Sequence, residues 1–518
     1  MTCQLTKQSA LHVLAFSFVL GGMAGAQQPI STADSTLVRA ILLAEDRRDA
    51  SAAALAEGAR HSNPRISVLA RRALGRIRDP KFAARDSLPP LPAPPKYDDP
   101  AWRLRLRAVN GRRTDCPAMR AALADSAWPV RFLAADRVAP ECGADAALVA
   151  TLESWVSSAP TNARRSRGGV SWQPAAHGIT ALARLAPARA RAALPGAAAS
   201  PVPWLRTYAA RAAGTLKDTV TLRRLARDPN DNVKEAAIDA LASTAGHTAD
   251  DEYVAALSAT GYQAVRAGAR ALKGSPRGRS LLLPLLEAER RIAKDSSETS
   301  RDARIAIIER LGEVMATESG FDMPGLAGTF DCVAMRVMDS LMTRNGASTG
   351  PQPRCTPLAI TLPPDAVALA LGQDVRLRVT MADSSGGGSF IVKLRGDVAP
   401  IMAGRVLALA RAGYYDGLTW HRVEHDFVVQ GGGKANEYVG HPRFMRDELG
   451  TVPHARGTVG MSTRGHDTGD AQWFFNLRDN LRLNTDYTVF AEVTDGIDVV
   501  DGVLEGDVIA RIEVLPAR

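Results

Sequence analysis

The sequence predicts two unlike regions, an N-terminal all-α solenoid and a C-terminal, mainly-β domain of closed or sandwich-like form. Three observations predict this. A helical motif recurs about every 30 residues through positions 40–315, the helical periodicity stops in a Gly/Pro/Ser/Thr stretch between Asn345 and Pro364, and alternating strand-like segments begin at Val375. The 518 residues are enough for more than two domains or a repeat array. Apolar residues make up 46% and charged residues 23%, as in chains that bury cores, which excludes a wholly disordered protein. Aromatics are only 5%, against an all-β architecture for the whole chain.

Residues 1–26 read as an export signal. Lys7 precedes an apolar run from Ala10 to Leu20, and Ala24-Gly25-Ala26 forms an A-x-A site before Gln27. The run is short and broken by Gly21 and Gly22, so a membrane anchor is the poorer reading. An exported chain is expected, periplasmic or secreted, with no transmembrane segment once mature. Removing Cys3 leaves Cys116, Cys142, Cys332 and Cys355. Spacing favours the pairs Cys116–Cys142 and Cys332–Cys355, with four buried thiols as the alternative. No C-x-x-C occurs among them, so neither a zinc site nor any other metal is expected.

The repeats follow over 27–345. Each joins a Pro or Asp turn to a branched apolar residue, a base, and a run of Ala and Leu. Examples begin at Trp128-Pro129-Val130-Arg131, Trp204-Leu205-Arg206 and Asp228-Pro229, with basic residues Arg206, Lys234 and Arg266 recurring 28 and 32 residues apart. Asp-Pro is expected to cap and start a helix. Two helices in about 30 residues make one unit of an α-solenoid, whose small Ala positions let helices approach closely. The pattern resembles HEAT repeats. That resemblance implies a concave surface for a protein client or scaffold partner, and no chemistry. Pro89–Pro95 and Ser157–Gly169 are expected to be exposed loops.

The net charge of +9 comes from 64 basic and 55 acidic residues. From Leu371 to Arg518 there are 16 basic against 20 acidic, a net of −4, so the excess belongs to the helical region. Its arginines are interleaved with acids along helices, which describes a solvated face rather than a nucleic-acid surface.

Residues 346–371 read as a linker and 372–518 as the second domain. Val375–Met381 and Phe390–Leu394 alternate as strands, joined through Gly386-Gly387-Gly388. No Gly-Lys-Ser/Thr follows those glycines, so they form a hairpin loop and not a phosphate cradle. A helix is predicted from Pro400 to Ala412, and two more strands flank Glu424-His425-Asp426. His421 and His425 are four apart, but on a strand and loop, which argues against a metal pair.

The run Gly413-Tyr414-Tyr415-Asp416-Gly417-Leu418-Thr419-Trp420-His421-Arg422-Val423, continued by His425-Asp426-Phe427-Val428-Val429-Gln430-Gly431-Gly432, resembles the cyclophilins. So do Gly457–Ser462, Ala471-Gln472-Trp473-Phe474-Phe475 and Asp486–Phe490, in the same order. The resemblance implies a peptidyl-prolyl cis-trans isomerase on an eight-stranded antiparallel barrel capped by two helices, needing no cofactor and acting on proline-containing polypeptides. It implies Arg422 as the catalytic arginine, with Gln430 beside it. Phe427, Val428, Phe474 and Leu483 would form the proline pocket, with Gln472 and Tyr487 at its rim. Ser462 and Thr463 would pair with the peptide backbone. Tyr487 stands where many members have His, and Arg482 where they often have Trp. The second reading is a non-catalytic interaction scaffold whose barrel binds Pro-containing segments.

Overall fold

The structure is a computed structural model that describes residues 31–79, 88, 90–316, 331–344, 361–434 and 439–516. The export signal, Cys3 and Cys355 lie outside the described residues. Cys116 and Cys142 form a disulfide, and Cys332 is disulfide-bonded.

Helices fill the first region, and they stack in two layers. Trp128–Arg137, Gln173–Leu185, Pro203–Leu216, Asp231–Thr244, Tyr262–Ala271 and Arg301–Ala316 lie one on the next, while the helices between them in sequence form the other layer. Local chemistry sets the starts. Asp115, Asp145 and Asp218 each accept a hydrogen bond from a backbone N–H of the first turn, and Pro129 and Pro203 sit where an N–H is not needed. The Asp-Pro expectation is corrected at Asp228-Pro229. Asn230 is the N-cap there, and Asp228 instead receives Nε and Nη2 of Arg206 at 2.7 and 2.8 Å. Small residues set the spacing: a Cβ on Gly268 would lie 2.6 Å from the Tyr253 carbonyl oxygen.

The second region is an antiparallel sheet of eight strands: β1 (Arg376–Met381), β2 (Ser389–Leu394), β3 (Trp420–Glu424), β4 (Val428–Gly431), β5 (Thr458–Met461), β6 (Trp473–Asn476), β7 (Val489–Asp495) and β8 (Ile509–Val514). Their order is β3-β4-β6-β5-β7-β2-β1-β8. The two edges meet through a Thr419–Val508 bridge, with Trp420 N–H donating to the Asp507 carbonyl at 2.9 Å, which closes the barrel. Period-2 alternation sends Trp420, Val429, Trp473, Phe475 and Val459 into the barrel core. Helix Pro400–Arg411 packs on β7 and β8, and the short helix Ile497–Asp501 on β2.

The partition of the chain differs from the expected boundaries at 27–345, 346–371 and 372–518. Leu37, Val38, Ile41, Leu42 and Ile66, from the helices Thr32–Asp46 and Pro64–Arg78, share one hydrophobic core with the barrel. The other helices, from Leu106 to Val314, have their own core. Within the expected linker, Leu362, Ala366, Leu369 and Leu371 are buried in that barrel core, because a helix at Ala366–Ala370 packs against Pro400–Arg411 and the first helix.

The two expected loops are also tied to the barrel. Arg165, buried, pairs with Asp507, and its backbone N–H donates to the Ser384 carbonyl at 2.8 Å. Arg395 Nη2 donates to the Pro92 carbonyl at 2.9 Å. Further along the array, Tyr97 Oη donates to the Val493 carbonyl at 2.9 Å, and Phe444 N–H to Glu298 Oε2 at 2.8 Å. The barrel is therefore bonded to segments spread along the helical region, from Pro92 to Glu298.

Candidate active site

Four neighbouring strands carry the site on the outside of the barrel. Arg422 on β3 pairs in register with Gln430 on β4, Gln430 with Phe474 on β6, and Phe474 with Gly460 on β5. One row thus runs Arg422–Gln430–Phe474–Gly460 across the sheet. A register shift between Trp420 and Arg422 turns the arginine outward while Trp420 stays in the core. The other outward positions follow from alternation, since Val429, Phe475 and Val459 point inward.

The pocket is apolar. Val428, Phe474 and Leu483 are buried together, with Phe427 and Tyr487 packed at their edge. The Phe474 ring stands edge-on to Tyr487, 5.6 Å between centroids. Gly460 makes room for that ring, because a Cβ there would come within 2.3 Å of Phe474 Cζ. Phe427 is held by its carbonyl, which accepts from Leu477 N–H and Asn480 Nδ2, both at 3.0 Å.

The polar edge forms a chain of contacts. Arg422 Nε donates to Glu424 Oε1 at 2.9 Å, and Nη1 to Gln430 Oε1 at 3.2 Å. Gln430 Nε2 donates to Ser462 Oγ at 2.9 Å. Ser462 N–H donates to the Gln472 carbonyl at 2.8 Å, and Thr463 follows, half-buried. Gln472 is buried, its N–H bound to Asp470 Oδ1 at 2.9 Å. The structure therefore brings together all ten residues singled out in the sequence. Arg422 keeps about half its side chain exposed, so its remaining donors can reach a ligand.

Three site residues were not foreseen. Glu424 holds the Arg422 guanidinium, and its position two residues on along the same strand was the available signal. His454 stacks behind Phe474 at 5.7 Å and is fully buried, and burial lowers its pKa to about 4. It comes from a loop, and no periodicity marks it. Arg482 was noted only as a departure from the resemblance, yet its guanidinium lies 4.6 Å from the centre of the Phe427 ring, opposite a role a Trp would fill by packing. Among the described residues no cluster of three or more His, Cys, Asp or Glu could hold a metal ion, and no helix is long and apolar enough to cross a membrane.

Residues 377–514 match the family model described as cyclophilin type peptidyl-prolyl cis-trans isomerase/CLD. A peptidyl-prolyl cis-trans isomerase of Helicobacter pylori is 35% identical over 119 residues, which is 22% of this chain and 73% of the relative. Peptidyl-prolyl cis-trans isomerase B of Bacillus subtilis is 34% identical over 131 residues, 25% of this chain and 92% of the relative. With the family match spanning the strands that build the pocket and these relatives covered to 73% and 92%, the chain belongs to the cyclophilin-type peptidyl-prolyl cis-trans isomerases, and its enzymatic activity is that isomerisation.

Proposed function

We propose that the protein isomerises X–Pro bonds of exported polypeptides, with Arg422 as the catalytic donor and the Phe427–Val428–Phe474–Leu483 pocket as the proline site. The observation that carries the reading is the single row Arg422–Gln430–Phe474–Gly460, which sets a guanidinium beside the apolar cluster of Val428, Phe474 and Leu483. Rotation about the X–Pro bond has a barrier of about 18–20 kcal/mol because of amide resonance. A donor at the prolyl nitrogen favours the twisted, pyramidal state in which that resonance is broken, and an apolar surrounding strengthens the interaction. Gln430 and Glu424 fix the guanidinium on two sides. Phe474 and Leu483 grip the pyrrolidine ring, Tyr487 and Gln472 border it, and Ser462 and Thr463 face the peptide backbone. The turning group is the acyl side.

Export is supported by the leader-like first 26 residues and by the Cys116–Cys142 disulfide, since disulfides persist in oxidising compartments. The helical region takes part in protein binding at the rim of the site, where its helices meet β3. Arg422→Ala tests the catalytic role. Turnover of a short X–Pro peptide, read as kcat/KM, is expected to fall roughly 100–1,000-fold, as when a comparable pre-organised donor is removed. Full turnover in a folded variant refutes the assignment, and a parent that binds such a peptide without turnover would establish the scaffold reading.

A further inference from the structure

A cavity of about 450 Å³ lies beside the proline pocket, between the helical array and the β3–β4 turn. Phe427 and Glu424 line it and also belong to the pocket and to the Arg422 contact, so the two spaces adjoin. Its far wall comes from the array: Phe132 and Asp136 of helix Trp128–Arg137, His177 of helix Gln173–Leu185, and Tyr208 of helix Pro203–Leu216. The wall is therefore absent from any protein that consists of the barrel alone.

The chemistry of the lining is one-sided. Leu106, Leu133 and Leu504 supply aliphatic surface. The Phe132 and His177 rings stack at 4.6 Å, and His177 meets Tyr208 at 5.4 Å, which makes a continuous aromatic face. Four carboxylates, Asp136, Glu424, Asp426 and Glu505, line the cavity against one guanidinium, Arg137, and of these Glu424 is already engaged by Arg422. Asp426 is neutralised from outside by Arg107 and Arg478. Asp136 meets His177 Nδ1 at 2.7 Å and keeps two-fifths of its side chain exposed. Glu505 accepts from Tyr208 Oη at 2.7 Å, and burial raises its pKa, so it gains from a nearby positive charge. His425, also on the lining, leaves its buried Nδ1 without a hydrogen-bond partner and is held neutral by burial. Arginines already rest on the ends of the aromatic run, Arg131 over Trp128 at 4.3 Å and Arg211 over Tyr208 at 4.6 Å.

We propose that this cavity takes a lysine or arginine side chain of the polypeptide whose X–Pro bond occupies the adjoining pocket, and so directs the enzyme to prolines near a basic residue. The inference rests on the proposed proline site. The aliphatic stem lies along the leucines and rings, and the charged head reaches Asp136 and Glu505.

Turnover of a peptide series tests this. One proline is flanked by alanines, and a single Lys or Glu is moved from three residues before it to three after. At the best position kcat/KM for Lys is expected to exceed that for Glu about ten-fold. Asp136→Lys should bring the ratio within two-fold of unity or reverse it, leaving turnover of the all-Ala peptide and thermal unfolding unchanged, and Asp136→Asn should fall between. A parent ratio below two-fold at every position overturns the proposal, as does a parent-like ratio in Asp136→Lys. Neither result touches the proline site, whose own failure would show as a parent that does not turn over the all-Ala peptide.

Discussion

Arg103, at the start of the helical array, and Arg456, in the loop before β5, grip the same carboxylate, Asp501. Arg103 Nη2 reaches Asp501 Oδ1 at 2.8 Å, and Arg456 holds both oxygens at 2.9 and 2.7 Å. Arg103 has no exposed side-chain surface, and Arg456 has 6%. Two guanidiniums buried on one carboxylate make the carboxylate the weak point of the interface.

Asp501→Ala should therefore destabilise the whole chain by about 1–3 kcal/mol, the usual cost of leaving buried donors unsatisfied, because Arg103 keeps Asp99 at 3.1 Å and both arginines keep the Leu477 carbonyl. Denaturant unfolding followed by far-UV circular dichroism measures it. A loss below 1 kcal/mol would mean that the arginines find other acceptors.

Excision of the barrel should fail. A fragment of residues 372–518 lacks Leu37, Val38, Ile41, Leu42 and Ile66, which complete its core, and exposes the surfaces they cover. It is expected to bind hydrophobic dyes and to lose its cooperative thermal transition. A fragment that unfolds at the Tm of the full chain would show the helices to be dispensable.

Gly460→Val should damage proline binding more than folding. The new side chain must displace the Phe474 ring, whose Cζ lies 2.3 Å from where the first carbon would stand. KM for an X–Pro peptide is expected to rise at least about ten-fold, as a pocket contact worth more than 1.4 kcal/mol is lost. Unchanged KM would place the proline elsewhere.

Mild acid should unfold the protein. Burial lowers the pKa of His421, His441 and His454 to about 4 and of His425 to about 3, each from 6.5, with Arg422 adding to the effect at His421 and Arg405 at His441. The unfolded chain takes up these protons at higher pH than the folded one, so stability is full above 6.5 and is lost as pH falls from there towards 4. For the fully buried His454 the difference amounts to about 3 kcal/mol. Glu448, whose pKa burial raises to about 8, opposes the histidines as a single group, so the four of them set the sign and Tm measured against pH should fall steadily below 6.5. A Tm that stays level down to pH 5 contradicts the burial of these rings as neutral groups.

Most of the site was legible because the blocks Gly413–Gly432, Gly457–Ser462, Ala471–Phe475 and Asp486–Phe490 resemble the cyclophilins in order. Strand alternation alone would have placed Arg422 on the side of Trp420, since the register shift between them cannot be read from the sequence. Arg165 and Arg395 were not legible. Each bonds a segment hundreds of residues away, to Asp507 and to Pro92, and an arginine on a loop looks the same whether it meets water or a distant carboxylate. The helix at Ala366–Ala370 was hidden by its five-residue length and by the prolines before it. His454 is the same case on a smaller scale, a loop residue whose burial depends on Phe474 in another strand.

The shared core also imposes an order on how the molecule comes to be made. Synthesis runs from the N-terminus, so Leu37, Val38, Ile41 and Leu42 leave the ribosome before any of the barrel residues that cover them, the last of which is Ile512. The disulfide-linked stretch and the stacked helices can form from neighbours in sequence, but the first helices must wait for the final strand. The packing of the leading segment is therefore completed only once the whole chain has been made.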